Sequence, residues 1–276
     1  MTENLLKDKV AIITGAGSPI GLGYAMAEAT IRQGGRVAML DVNAAWLSES
    51  AEKLRAVAGK DRVLPIAVDI TDPQAAAAAV ARTIDELGGL DILVNNAGLW
   101  EPASFREVTV EAWQRIRAVN FDAPFYLSKP AVEHMCGQGT GRIINVTTSL
   151  GTMWTASNTT YGSSKAGHEA MASVLALELE GSGITCNVLI PGGNTNTNMS
   201  AKYRAPGVST ADLMTADVMA PPYLWIASEA ARDFNGKRII AAHWDETLPL
   251  DARLEKASAP IAWPQLGGFS IEPKSK

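Results

Sequence analysis

The hydrophobic residues of this chain fall into short apolar runs that alternate with longer segments of helical periodicity. Val10–Thr14 is continuously apolar and rich in β-branched residues, which is typical of a strand buried on both faces of a parallel sheet. We expect further strands at residues 36–41, 62–69, 91–98, 141–147, 184–190 and 237–242. Because no linker interrupts this alternation, it predicts a single-domain α/β fold, a doubly wound parallel sheet of about seven strands with helices on both faces.

Helical periodicity predicts the connections between these strands. We expect helices at residues 21–34, 44–58, 75–87, 109–135, 159–179 and 223–231. Pro124 and Pro130 predict that the helix at 109–135 is broken or bent. Residues 191–222 lose clear periodicity, and because long loops inside compact domains are usually functional, we interpret them as a substrate loop. We place the end of the domain at residue 242 and expect residues 243–276 to form an irregular tail on the surface or on a neighbouring subunit.

Composition and charge narrow the classes of function. The 276 residues carry a formal net charge of −5 and contain no run of Lys or Arg, so nothing predicts binding to nucleic acid or to an anionic membrane. No apolar stretch approaches the roughly 18 residues that a membrane span needs, and we expect a cytoplasmic protein. Cys136, Cys186 and the histidines at 134, 168 and 243 match no metal-ligand spacing, which predicts reduced thiols and no metal site.

A glycine-rich loop joins the first strand to the first helix. Residues 14–23 read Thr-Gly-Ala-Gly-Ser-Pro-Ile-Gly-Leu-Gly. Glycines let backbone amides approach a ligand closely, and the N-terminus of the following helix would face an anion, which suits a pyrophosphate. An ordinary strand-to-helix turn is the alternative interpretation.

Asp41 ends the second strand about 20 residues beyond these glycines, where dinucleotide-binding folds hold the ribose hydroxyls. A carboxylate there accepts a hydrogen bond from the 2′-hydroxyl and repels a 2′-phosphate, and the glycine loop contains no Arg or Lys to bind that phosphate. The pattern therefore predicts NAD as the cofactor. A solvated Asp at a strand end is the alternative.

Tyr161-Gly-Ser-Ser-Lys165 places a phenol and an ammonium one turn apart on the same face of a helix. A tyrosine hydroxyl titrates near ~10, so it serves as an acid/base at neutral pH only if a nearby cation stabilises the phenolate. Lys165 is placed to be that cation. The same spacing also occurs by accident on surface helices, so it gains weight only from the rest of the chain.

Taken in order along the chain, these residues resemble the short-chain dehydrogenase/reductase family over residues 9–242. The matching positions are Thr14-Gly15 with Gly21 and Gly23, Asp41, Asp69, Asn95-Asn-Ala-Gly98, Asn120, Tyr161 with Lys165, and Pro191-Gly192. The resemblance implies a Rossmann-type dinucleotide-binding and catalytic domain over residues 1–242. It also implies a homo-oligomer, a dimer or a homotetramer.

The resemblance further implies roles for individual residues. Tyr161 would be the catalytic acid/base, Lys165 would bind the nicotinamide ribose and lower the pKa of Tyr161, and Asn120 would hold a water in a proton relay. Thr148 would orient the substrate, with Ser149 as the alternative. Asp69 would meet the adenine. The implied cofactor contacts are Gly15, Gly17, Ser18, Ile20, Gly21, Asp41, Asp69, Ile70, Asn95, Ala97, Gly98, Tyr161, Lys165, Pro191 and Gly192.

Three positions depart from the family pattern. The family commonly has three residues between the first glycine and the Gly-x-Gly pair, whereas five separate Gly15 from Gly21 here, which predicts a wider loop. Thr148 replaces the usual serine and adds a methyl group that stiffens χ1. The usual Thr after Pro-Gly falls on Asn196 between two threonines, which leaves the contact to the carboxamide unassigned.

These observations predict an NAD-dependent oxidoreductase that interconverts a secondary alcohol and a ketone. A regulatory protein that keeps the dinucleotide site without chemistry is the alternative, and an epimerase or dehydratase of a related, longer family is a third reading. The loops after strands four to six contain no cluster of Arg or Lys, so we expect a neutral substrate. An apolar pocket wall, or else loop packing and subunit contacts, is predicted for Trp100, Met153, Trp154, Met199, Tyr203 and Met214.

Overall fold

The computed structural model describes residues 4–203, 207 and 209–263, and within them eight strands form one sheet. The strands are β1 (Val10–Thr14), β2 (Arg36–Asp41), β3 (Val63–Ala67), β4 (Ile92–Asn95), β5 (Gly141–Val146), β6 (Ile184–Ile190), β7 (Lys237–Ile240) and β8 (Ser258–Pro260). Their order is β3-β2-β1-β4-β5-β6-β7-β8, parallel throughout except for the antiparallel edge strand β8. The order reverses between β1 and β4, and ligands of such sheets bind in the crevice at the carboxyl ends of the strands there.

Helices cover both faces of the sheet. They are α1 (Leu22–Arg32), α2 (Ala44–Ala58), α3 (Pro73–Leu87), α4 (Val110–Arg117), α5 (Ala123–Gln138), α6 (Leu150–Met153), α7 (Thr159–Glu178), α8 (Asn198–Lys202), α9 (Ala220–Ala227) and α10 (Leu250–Ala257). Among the helices of the described ranges, none has the length and apolar character needed to cross a membrane.

Successive residues of a strand face two separate hydrophobic layers. Ala11 and Ile13 of β1 belong to the layer formed with α1, α2 and α9, whereas Val10 and Ile12 belong to the layer formed with α3, α5 and α7. Because both faces are covered, a polar side chain in the middle of β1 would lose its hydration, which is why this strand is a continuous apolar run. The predicted doubly wound fold with helices on both faces is confirmed, with one strand more than predicted.

The helix predicted at 109–135 is interrupted in a different way from the one expected. The α-helical pattern changes to a π-helical turn over Ala118–Asp122, between α4 and α5, and this turn contains the buried Asn120. Pro124 is the second residue of α5, which follows this turn directly, and because proline has no N–H it cannot donate to the carbonyl of Asn120 four residues earlier. Pro130 lies inside α5. The irregularity therefore lies just before Pro124.

The prediction of an irregular tail is wrong for the residues that the structure describes after 242. The chain forms α10 and then β8, which pairs with β7 through Ser258 opposite Ile239. Trp244 packs on Trp225 of α9, with ring centroids 5.4 Å apart, and thereby fixes the tail to the domain. The Ser-Ala-Pro sequence of β8 has no strand pattern of its own, so its conformation depends on the neighbouring strand. Residues 264–276 lie outside the described ranges.

Candidate active site

A cavity of about 920 Å³ opens at the carboxyl ends of β1, β2, β4, β5 and β6. The structure brings most of the predicted site residues to its wall, namely Gly15, Ser18, Gly21, Asp41, Asp69, Ile70, Ala97, Gly98, Thr148, Tyr161, Lys165 and Pro191. The predicted residues that do not line it are Gly17, Ile20, Asn95, Asn120 and Gly192.

The glycine loop holds its backbone close to the loop that follows β4. Gly15 has φ +64°, and a Cβ there would lie 2.9 Å from the Cα of Ala97, so no larger residue fits without a shift. The amide of Gly17 donates to Oδ2 of Asp41 at 2.8 Å, which ties the loop to the end of β2. Gly21 is the N-cap of α1 and provides no side-chain cap. The first turn of α1 therefore presents backbone amides without a side-chain acceptor.

Asp41 and Asp69 form one end of the cavity. Oδ1 of Asp41 accepts from the amide of Asn43 at 2.9 Å, and Oδ1 of Asp69 accepts from the amide and the hydroxyl of Thr71 at 2.9 and 2.7 Å. Trp46 also lines this end. Among the described residues of the cavity wall, the only basic ones are Arg115, Lys165 and Lys202, and each lies elsewhere in the wall, away from Asp41.

The two asparagines at the end of β4 have different environments. Asn95, which we expected on the cofactor side, is buried and its Nδ2 donates to Asn145 and Ser128, at 3.0 and 3.1 Å. Asn96 lines the cavity instead, and its Nδ2 donates to the carbonyl of Thr14 at 2.7 Å. Successive side chains of a strand point to opposite faces, so one residue of register decides which asparagine reaches the cavity.

Thr148, Tyr161 and Lys165 meet at the cavity wall. The side chain of Thr148 lies beside the Tyr161 hydroxyl, close enough to lower its pKa, and Nζ of Lys165 donates to the carbonyl of Val146 at 2.8 Å. All three side chains are buried apart from the atoms that reach the cavity. A Cβ at Gly98 would lie 3.4 Å from Nζ of Lys165, so the loop after β4 passes directly over the ammonium.

Burial is the main cause of the pKa shifts of Tyr161 and Lys165. It raises the pKa of Tyr161 to about 12, against the opposing effect of the hydrogen bond from Thr148, and it lowers the pKa of Lys165 to about 8. The sequence led us to expect that Lys165 lowers the pKa of Tyr161. In the structure the loss of hydration raises the pKa of Tyr161, and the cause that opposes it is the Thr148 side chain, so the tyrosine is a phenol at neutral pH.

Ser149 and Asn120 are used by the scaffold. The Ser149 hydroxyl caps α6 and lies 2.9 Å from the hydroxyl of Thr152, whereas Thr148 lines the cavity, so the geometry favours Thr148 as the substrate-orienting hydroxyl. The side chain of Asn120 accepts from the amide of Leu99 at 2.7 Å and donates to Ser164 at 3.0 Å. It thus ties the loop after β4 to α7, and the water relay at Asn120 stays a prediction.

An aromatic pair forms the outer wall of the cavity. Trp100 and Tyr203 pack edge to face with centroids 5.3 Å apart, and the indole of Trp100 donates to Oδ1 of Asn158 at 2.8 Å. Met199 also lines the cavity. The other predicted wall residues do not line it, namely Met153, which is buried, Trp154, which is exposed, and Met214.

Two basic residues reach the mouth of the cavity, which the sequence did not predict. Arg115 comes from α4 and pairs with Glu101 at 2.7 Å, and Lys202 of α8 lies 5.0 Å from the centre of the Tyr203 ring. Arg115 lies on a helix that we did not assign to the site. Its arrival depends on how α4 packs, and no local sequence pattern indicates it.

The carboxamide contact remains unassigned. Thr195 lines the cavity, and the hydroxyl of Thr197 accepts from the amide of Ser200 in a capping box that starts α8. Over the described ranges, no three His, Cys, Asp or Glu side chains converge as a metal site would require.

Comparison with known proteins identifies the family of this chain. The family model described as short chain dehydrogenase matches residues 9–206. A 2,5-dichloro-2,5-cyclohexadiene-1,4-diol dehydrogenase of Sphingobium indicum is 33% identical over 240 residues, which cover 84% of this chain and 94% of the relative. A cis-4-hydroxycyclohexanecarboxylate dehydrogenase of Sinomonas cyclohexanicum is 36% identical over 186 residues, which cover 67% and 73%.

A solved structure agrees with these relatives. It is of a Beutenbergia cavernae protein provisionally assigned as an NAD(P)-dependent gluconate 5-dehydrogenase, with NADP bound at low occupancy. It superposes with a TM-score of 0.77 at 29% identity and covers 85% of this chain and 95% of the other. Fold, site and relatives together show that this chain belongs to the short-chain dehydrogenase/reductase family, whose members are oxidoreductases that use a nicotinamide cofactor.

Proposed function

We propose that this protein is an NAD-dependent dehydrogenase/reductase that interconverts a neutral secondary alcohol on a ring and the corresponding ketone, with Tyr161 as the acid/base. The observation that carries the proposal is that the side chains of Thr148 and Tyr161 come together at a cavity that Lys165 also lines. Two hydroxyls there are placed to hold one substrate oxygen, and a cation lies one helical turn away.

The chemistry at the substrate oxygen follows from these groups. In reduction, the phenol of Tyr161 donates its proton to the carbonyl oxygen while Thr148 holds that oxygen through a hydrogen bond. In oxidation, the phenolate of Tyr161 takes the proton of the alcohol. Lys165 favours the phenolate electrostatically. Proton transfer by a positioned side chain contributes about 10² to 10⁴ to the rate.

The end of the cavity at Asp41 fits NAD. When bound, this cofactor would accept or donate the hydride. The Asp41 carboxylate lines the cavity at the carboxyl end of β2, and the side chains beside it are Val42, Asn43 and Trp46. A 2′-phosphate would meet a carboxylate there, and the described residues next to it in the cavity wall include no cation. Gly15, Ser18 and Gly21 would hold the pyrophosphate through the loop before α1, and Lys165 would reach the nicotinamide ribose.

The outer wall supports a cyclic, neutral substrate. Trp100, Met199 and Tyr203 offer flat apolar surface against which a ring packs. At the mouth, Arg115 is paired with Glu101, and Lys202 lies over the Tyr203 ring, so a substrate anion would have to compete with these interactions. Both relatives named above act, by their names, on alcohols of six-membered rings, and the substrate of one of them carries a carboxylate.

A non-catalytic, dinucleotide-binding role is the less favoured alternative. A member of this family that had lost chemistry would be expected to lose Tyr161 or Lys165 first, and both are present and line the cavity. The relatives also are dehydrogenases by name.

Ligand-dependent thermal stability tests the cofactor, and a substrate panel tests the reaction. A ligand that binds only the native state at 100 times its Kd adds about 2.7 kcal/mol to the free energy of unfolding. We expect NAD to raise the melting temperature and NADP to have a much smaller effect. Preference for NADP would contradict the assignment of Asp41. Turnover of ring carboxylates together with no turnover of neutral ring alcohols would contradict the neutral substrate.

We also propose that the protein is a homo-oligomer, a dimer or a tetramer. Large apolar side chains are exposed on α4, α5 and α7, namely Val110, Trp113, Phe125, Val174 and Leu177. Apolar surface of this kind on neighbouring helices is typical of an interface. Light scattering during size-exclusion chromatography tests the proposal, and a monomer mass would contradict it.

A further inference from the structure

A buried ion pair lies behind the wall of the cavity. Glu169 of α7 is completely buried and Arg238 of β7 is 7% exposed. Nη2 of Arg238 donates to Oε2 of Glu169 at 3.3 Å, and Nε lies 3.2 Å from Oε1, a contact of ion-pair length whose angle is too poor for a hydrogen bond. Neither residue lines the cavity, so neither touches a ligand there.

The pair holds the two residues that follow β5. The hydroxyl of Thr147 donates to Oε2 of Glu169 at 2.9 Å, and Nη2 of Arg238 donates to the backbone carbonyl of Thr148 at 2.8 Å. One carboxylate and one guanidinium thus connect the end of β5 to α7 and to β7.

Glu169 is also fixed relative to the catalytic residues. It lies four residues after Lys165 and eight after Tyr161 in α7, so all three project from the same side of one helix. The helix therefore places the Tyr161 phenol at the cavity wall, and it places the Glu169 carboxylate behind that wall, next to the end of β5. The backbone carbonyl of Thr148 is held by Arg238, and its side chain lies beside the Tyr161 hydroxyl on the cavity side.

A gain in stability does not by itself explain why Glu169 and Arg238 form a buried ion pair here. Two buried charges lose their hydration, and replacing a buried ion pair by apolar residues of similar volume is often neutral or stabilising. A guanidinium, however, reaches a carboxylate and a carbonyl at once with fixed geometry, which no apolar side chain does. This argues for a role in holding Thr148 in place.

We propose that Glu169 and Arg238 are positioning residues for catalysis, which act by fixing the backbone of Thr148 so that its hydroxyl meets Tyr161 and the substrate oxygen. The proposal rests on the proposed function, because it assigns the substrate-orienting hydroxyl to Thr148. It excludes direct contact of either residue with substrate or cofactor.

Two substitutions test the proposal, one at Arg238 and one at Glu169. Arg238→Lys keeps a buried cation next to Glu169, but one ammonium cannot hold both the carboxylate and the Thr148 carbonyl in the same geometry. Glu169→Gln removes the charge and keeps an oxygen that accepts from Thr147. Misplacement of a reacting group by about 1 Å costs up to about 10² in rate, so we expect kcat to fall about tenfold or more in each variant. The Kd for NAD should stay unchanged.

Glu229→Gln is a control for the loss of a carboxylate partner outside the site. Glu229 faces another buried strand arginine, Arg142, at 3.6 Å, its own side chain is 65% exposed, and neither residue lines the active-site cavity. The free energy of unfolding is measured for every variant, so that a loss of stability is separated from a loss of kcat. We expect the control to retain the kcat of the unsubstituted protein.

A double-mutant cycle with Thr148→Val distinguishes an effect through the Thr148 hydroxyl from a general loss of activity in a destabilised protein. If Glu169 and Arg238 act through the Thr148 hydroxyl, Arg238→Lys should lower kcat about tenfold in the unsubstituted protein and have little effect in the Thr148→Val background. Equal losses in both backgrounds, or wild-type kcat in Arg238→Lys, would overturn the proposal. Should Glu169→Gln fail to fold because Arg238 is left unpaired, Arg238→Lys still decides the question. A Thr148→Val variant with full activity would instead refute the role of Thr148 in the proposed function.

Discussion

Replacing Thr148 by Val removes the hydroxyl beside Tyr161 and leaves a side chain of nearly the same shape. Thr148 is 8% exposed and its backbone carbonyl is held by Arg238, so the substitution should leave the fold of this segment in place. The Tyr161 hydroxyl stays in contact with the cavity, so solvent can replace the lost partner. We therefore expect the free energy of unfolding to change by no more than about 1 kcal/mol.

The effect on catalysis should be much larger. A hydrogen bond between two neutral groups is worth about 0.5–1.5 kcal/mol, but a donor aimed at an oxygen that becomes charged in the transition state is worth about 2.7–4 kcal/mol. Because Tyr161 remains as a second group at that oxygen, we take the lower end, a loss of about 10² in kcat. The hydrogen bond from Thr148 also lowers the pKa of Tyr161, so its removal raises that pKa further and slows oxidation at a given pH.

Steady-state kinetics on one neutral ring alcohol, with NAD at saturation, measures this loss. Thr148→Ser is the conservative control, since it keeps the hydroxyl and removes only a methyl group, and it should retain most of the activity. Ser149→Ala tests the neighbouring hydroxyl, which caps α6 and lies off the cavity, and it should leave kcat nearly unchanged. If Thr148→Val retains the kcat of the unsubstituted protein, or if Ser149→Ala is the variant that loses it, the reasoning from the geometry fails.

Three further predictions follow from single groups. Tyr223→Phe removes a buried hydroxyl 2.6 Å from Thr30, which still donates to Met26, so urea denaturation should show a loss of about 1 kcal/mol with unchanged kcat; no loss would contradict the hydrogen bond. Asp41→Asn removes a charged acceptor worth about 1.5–3 kcal/mol, so calorimetry should show NAD binding weakened tenfold or more and the discrimination against NADP reduced. Because the pKa of Tyr161 is raised to about 12, kcat/KM for the alcohol should rise with pH above neutrality while that for the ketone does not; equal slopes would contradict Tyr161 as the acid/base.

Local sequence patterns predicted several strand and helix bounds and the relative placement of Tyr161 and Lys165. β1, β2 and β6 have the bounds expected from their apolar runs, and α2 begins and ends where its periodicity does. Tyr161 and Lys165 reach the same cavity because the spacing of one helical turn fixes their relative direction whatever the helix packs against.

The features that the sequence did not predict depend on tertiary contacts. Whether Asn95 or Asn96 faces the cavity is decided by the register of β4, and the raised pKa of Tyr161 is decided by burial that only the packed structure defines. The pairing of β8 with β7 needs a neighbour that the sequence of β8 does not indicate. Glu169 and Arg238 are 69 residues apart, and nothing in either local sequence suggests that they meet.

The most direct test of the proposed chemistry is the Tyr161→Phe variant, assayed for NAD binding and for turnover of a ring alcohol. Phenylalanine keeps the ring that lines the cavity and removes only the oxygen that carries the proton. We expect kcat to fall by about 10² to 10⁴ while the Kd for NAD stays unchanged. A Phe variant that turns over its substrate at the original rate would contradict Tyr161 as the acid/base, and with it the proposed mechanism.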